Sequence, residues 1–77
     1  MGIQDVRNAF LKAGQGKLRV TDCELHTVQD GNNSQQLLIK GFDANGKTFQ
    51  LDSKPFDAKV SPNEKARAMA AAILKAQ

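Results

Sequence analysis

Seventy-seven residues with 11 basic and 8 acidic side chains give a net charge of +3, which suits one domain over residues 1–77 and excludes a polybasic nucleic-acid tail. Cys23 is the only cysteine, so no disulfide framework supports a core that, at this size, buries only about 60% of the unfolded surface. With no Trp or Tyr and four Phe, the chain is poorly supplied with aromatic platforms for stacking single-stranded nucleic acid.

In chain order, Ile3 to Ala13 reads as a first helix. Ile3, Val6, Phe10 and Ala13 line one side, with Asp5 near the start and Lys12 near the end, as the helix dipole favours. Gly14 is the expected left-handed stop, followed by Gly16. Asp5 and Arg7 interrupt the apolar residues of Met1 to Lys12, which is neither a signal peptide nor a membrane span. With a lone thiol, this gives the expectation of a cytoplasmic protein.

Lys17 to Val28 reads as a long first strand whose apolar phase changes partway. Leu18 and Val20 are even-numbered, whereas Cys23 and Leu25 are odd. One face cannot bury both sets without an extra residue, so a β-bulge is predicted near Thr21–Asp22. Asp30 to Ser34 is rich in turn formers and reads as a loop.

Gln35 to Asp43 and Lys47 to Ser53 read as the second and third strands. A two-residue Asn45–Gly46 turn would pair Phe42 with Phe49. A three-residue loop with Gly46 left-handed pairs Asp43 with Lys47, Ile39 with Leu51 and Gly41 with Phe49. The second register is preferred because it sorts the faces. Cys23, Leu25, Leu37, Ile39, Phe49 and Leu51 then share one face, while Leu38, Lys40, Phe42, Thr48, Gln50 and Asp52 share the other.

Lys54 to Val60 reads as a connector. Ser61-Pro62-Asn63-Glu64 has the form of a capping box with Pro at the first helical position. It opens a helix running to Gln77 whose apolar stripe is Ala66, Met69, Ala70, Ile73 and Leu74. The predicted fold is α+β, in the order αβββα, with a three-stranded antiparallel sheet and both helices packed on one face. Its core joins Leu37, Ile39, Phe49 and Leu51 to Phe10, Met69 and Ile73.

The residues that carry chemistry do not assemble into a catalytic set. Cys23 and His26 are spaced C-x-x-H but lie on opposite faces of a strand, so they cannot chelate one ion. Asp22, Glu24 and His26 share a face and have metal-ligand chemistry, with Asp52 as the nearest further carboxylate. The same trio also reads as a solvated strand face, with Glu24 pairing across to Lys40. Ser34, Ser53 and Ser61 occupy turn or cap positions, and Gly14-Gln15-Gly16 lacks the preceding strand of a phosphate-binding loop. The expectation is a non-enzymatic protein without metal or other cofactor.

Two surface features remain. Leu38 and Phe42 stand on the uncovered face among Asp22, Glu24, Lys40 and Asp52, the composition of a protein-binding patch. Lys54, Lys59, Lys65 and Arg67 surround the start of the second helix, where cations add to the field of the helix N-terminus, with Asp57 and Glu64 interleaved.

The helix-strand-strand-strand-helix order, the length, and the Ala-rich closing helix Lys65 to Leu74 together resemble a double-stranded-RNA-binding domain. In that family the last helix opens K-K-x-A-K, whose lysines hold phosphates across the major groove. The matching stretch is Asn63-Glu64-Lys65-Ala66-Arg67, which keeps a basic residue at Arg67 and has an acid at Glu64. The loop Asp30 to Ser34 lacks the family's G-P-x-H element. The expected function is therefore a small interaction protein that occludes or bridges a protein partner, a nucleic-acid-handling complex among the candidates. In size and lack of catalytic residues it is similar in style to phage or mobile-element inhibitors such as anti-CRISPR proteins. The resemblance implies the alternative, a nucleic-acid-binding module acting through Lys54, Lys59, Lys65 and Arg67.

Overall fold

A computed structural model describes residues 2–28 and 33–76. The element order is α1 (Ile3–Ala13), β1 (Leu18–Val28), β2 (Ser34–Asp43), β3 (Thr48–Asp52), β4 (Phe56–Asp57) and α2 (Pro62–Ala76). β1, β2 and β3 form an antiparallel sheet in that spatial order, and β4 pairs with the start of β2. The connector from Lys54 to Val60 thus holds a short strand that the sequence did not announce. β4 lies on the same edge of β2 as β3, since the other edge there pairs Gln35 with Thr27 and Ser34 with Val28. Most of the expected loop from Asp30 to Ser34 lies outside the described residues, and Ser34 already belongs to β2.

The phase change in β1 is a bulge: the register with β2 shifts between Val20 and Asp22. Beyond it, Cys23 pairs with Ile39 and Leu25 with Leu37, bringing their side chains to one face. Gly41 faces the bulge, and a Cβ there would lie 1.8 Å from the Arg19 carbonyl oxygen; only glycine lets the bulged backbone approach so closely. From α1, Arg7 donates to the Val20 carbonyl at 2.9 Å, tying the helix to the irregular part of the strand.

The β2–β3 connection is the three-residue form. Asp43 and Lys47 close it, with the Asp43 N–H 2.9 Å from the Lys47 carbonyl and Gly46 at φ +78°. The Asp43 carboxylate also accepts the N–H groups of Asn45 and Lys47 at 2.9 and 3.0 Å, an Asx turn that holds the loop. Ile39 then pairs with Leu51 and Gly41 with Phe49.

Both helices cover the face carrying Leu37 and Ile39. The buried core is Val6 and Phe10 of α1, Leu18, Leu37 and Ile39 of the sheet, Phe56 of β4, and Ala66 and Ala70 of α2. Phe49, Leu51, Met69, Ile73 and Leu74 pack against this cluster but stay partly exposed. The alanines of α2 carry its deepest contacts because small side chains let the helix approach closely. Larger neighbours then sit at the rim. Phe10 and Phe49 rings meet at 6.0 Å between centroids, tilted by 43°, a favourable aromatic geometry.

Three local expectations are corrected. Gly14 is right-handed at φ −74°, and the left-handed turn falls on Gln15 and Gly16 at φ 55° and 76°. Ser61 serves α2 through its carbonyl, which accepts the N–H groups of Glu64 and Lys65 at 3.1 and 3.3 Å; among the described residues no hydroxyl cap or reciprocal Glu64 bond is present. Glu24 does not face Lys40. The register that stacks Cys23 on Ile39 and Leu25 on Leu37 sets Glu24 opposite Leu38 and gives Lys40 to Asp22.

Candidate functional site

The face of the sheet turned away from the helices is the candidate site. Pairing across the strands sets out its rows. Arg19, Phe42 and Thr48 form one, followed by Asp22, Lys40 and Gln50, then Glu24, Leu38 and Asp52, with His26 beside Gln36 at the end. Every partner-binding candidate read from the sequence (Leu38, Phe42, Lys40, Asp22 and Glu24) therefore lies on one surface. Phe42 is 39% exposed and Leu38 is half-buried.

Arg19 also belongs to this surface, and the sequence reading missed it. Before the bulge the parity of the strand is reversed, so an odd-numbered residue joins the even-numbered face. The same phase change that located the bulge contained this signal. The Arg19 guanidinium donates to the carbonyls of Gly16 and Leu18, both at 3.2 Å, which holds it beside Phe42. Arg19 and Phe42 together line a shallow cleft of about 280 Å³ with Lys17 and Ala44.

Polar residues fill the other end of the face. The His26 Nε2 atom lies 3.0 Å from the Glu24 carboxylate, and the Gln36 amide donates to Asp52. Among the described residues no group of three or more His, Cys, Asp or Glu side chains is placed to hold a metal ion. Cys23 sits on the helix side, half-buried, where burial raises its thiol pKa against the lowering effect of nearby Arg7.

The basic candidates lie elsewhere. Lys54 and Lys59 are exposed in the connector and Arg67 is exposed on α2. Lys65 is half-buried, its ammonium 5.5 Å from the centroid of the Phe56 ring, a cation–π contact that ties α2 to β4. Part of this cluster thus has a structural use.

A larger cleft, about 460 Å³, opens where the starts of α1 and α2 come together beside β1. Ile3, Val6, Leu25, Pro62 and Asn63 line it, and Asn63 Oδ1 is buried there without a hydrogen-bond partner among the described residues. No described helix is long and apolar enough to cross a membrane. Comparison with protein-family models, with curated proteins and with solved structures gives no match.

Proposed function

We propose that the chain is a non-enzymatic interaction protein that docks a partner protein on its open sheet face, occluding or bridging that partner. The observation that carries the reading is Phe42, 39% exposed on a face that neither described helix covers, with Arg19 and half-buried Leu38 beside it. Aromatic and arginine side chains are the residue types that dominate binding energy at protein interfaces. The rim suits a protein surface better than phosphate: Asp22, Glu24 and Asp52 stand against Arg19 and Lys40, so the field is mixed and slightly acidic.

The alternative places the contact on Lys54, Lys59, Lys65 and Arg67, with nucleic acid as ligand. The two readings are separated by measuring binding to a partner captured with and without nuclease, at two salt concentrations. Phe42→Ala is expected to weaken binding at least tenfold at either salt, with melting unchanged. Charge reversal at Lys65 and Arg67 is expected to have little effect. Normal binding by Phe42→Ala, together with loss in the reversed pair and a steep fall with salt, would overturn the docking reading in favour of a phosphate-led one.

A further inference from the structure

The outer edge of β1 is an unused pairing surface. β1 is 11 residues long and ends the strand order, so among the described residues no strand pairs with its far side. The direction of its backbone groups follows from β2. Leu37 donates its N–H to Ser53 Oγ at 2.8 Å and accepts the Ser53 N–H at 2.9 Å, so both groups of Leu37 point toward β3. In an antiparallel ladder the residue opposite, Leu25, then turns its own N–H and carbonyl away from β2. By alternation Cys23 and Thr27 do the same. The Val20 carbonyl, on the other side of the bulge, is already taken by Arg7, so the open stretch runs from Asp22 to Val28.

Natural sheets protect such an edge with lysine, proline or inward-pointing charge. The open stretch has none of these: its helix-side residues are Cys23, Leu25 and Thr27, and its charges all lie on the other face. Apolar surface accompanies the open backbone. Leu25 and Cys23 are half-buried, and Ile3, 43% exposed on α1, lines the same cleft as Leu25.

We propose that this edge pairs with the same edge of a second copy, antiparallel, about a two-fold axis at Leu25. Keeping the helices on one side requires like faces to meet, so only alternate registers are allowed. Centring on Leu25 sets Leu25 against Leu25 of the second copy and Cys23 against Thr27. It also sets Glu24 against His26 on the open face, twice by symmetry. Each strand contributes the N–H and carbonyl groups of Cys23, Leu25 and Thr27, and all are satisfied. Centring on Cys23 would instead oppose Asp22 to Glu24, and centring on Glu24 would oppose that residue to itself; like charges directly opposite destabilise a strand pair. Centring on His26 removes the carboxylate–imidazole match. Charge therefore selects the Leu25 register. The product is a continuous sheet with helices on one side and two docking faces on the other, independent of what those faces bind.

Sedimentation equilibrium over rising concentration tests the pairing, with thermal melting of dilute samples to confirm the fold. The wild-type chain is expected to dimerise. Thr27→Pro removes an N–H that faces only the free edge, on an exposed residue, and is expected to abolish the dimer with melting unchanged. Glu24→Lys leaves the backbone intact, removes the carboxylate set opposite His26, and is expected to weaken dimerisation about tenfold through its two cross-strand pairs. Thr27→Cys fixes the register. Within one chain, positions 23 and 27 are about 13 Å apart along the strand and cannot be bridged. Between copies they face each other, so mild oxidation is expected to give a covalent dimer, whereas the wild-type thiols, set apart, give none. A wild-type chain that stays monomeric to millimolar concentration overturns the proposal, as does undiminished dimerisation of Thr27→Pro and Glu24→Lys. Ready cross-linking of the wild-type chain through Cys23 alone overturns the Leu25 register.

Discussion

Leu37 and Leu38 are adjacent leucines in the same strand, yet they belong to different environments. Leu37 is fully buried under the helices, and Leu38 stands half-exposed on the open face beside charged neighbours. The same contrast separates Ile39 from Lys40 and Gly41 from Phe42. One face of β2 is specified by packing, where every methylene has contacts to lose. The other is constrained by little beyond sheet propensity and solubility, which leaves it available for recognition. An apolar side chain on the first face is explained by the fold, whereas Phe42 on the second is not.

The sharpest way to break this comparison is to truncate neighbours on opposite faces. Ile39→Ala is expected to cost about 2–5 kcal/mol through lost burial and the cavity left behind. That is enough to unfold much of so small a domain. Leu38→Ala is expected to cost no more than about 1 kcal/mol. Urea denaturation of both variants measures the difference, and equal costs would erase the distinction between the faces.

A smaller effect is expected at Gly41, on the covered face opposite the bulge. Gly41→Ala places a Cβ against the Arg19 carbonyl, a backbone atom that cannot swing aside. A loss of about 1–3 kcal/mol is expected, as for other overpacked sites. A midpoint equal to wild type would mean that the strands part at the bulge.

The mildest test compares thiols on the two faces of β1. Cys23 is held half-buried on the helix side, and burial raises its pKa. Less thiolate is then present near pH 8, so iodoacetamide is expected to react more slowly with Cys23 than with Glu24→Cys in a Cys23→Ser background. In urea the two rates should converge. The sign for stability follows. A thiol pKa raised by folding contributes stability in full below its unfolded pKa, and that contribution is lost as pH rises through the folded value. Equal rates in the native state would show Cys23 to be as open as position 24.

Much of this architecture follows from short-range rules. The limits of α1, the bulge between Val20 and Asp22, and the loop closed by Asp43 and Lys47 all come from the parity of apolar residues and from turn chemistry, which act over a few positions. The open face of the sheet was legible for the same reason. Once Leu37 and Ile39 are assigned inward, Leu38, Lys40 and Phe42 must point outward, and Asp22 and Glu24 go with them. Arg19 follows the same parity reversed by the bulge. What required tertiary structure depends on partners distant in the chain. β4 has only Phe56 and Asp57, too few residues to show a period, and exists because the start of β2 offers an unpaired edge. The Ser61 hydroxyl suited a cap by residue type, but chain geometry supplied its carbonyl instead. Glu24 was matched to Lys40 by charge, while the stacking of Cys23 and Leu25 on Ile39 and Leu37 decided the register. Local sequence determines which way a side chain points; which groups it meets, and which edge of the sheet is left open, is decided only when the elements pack.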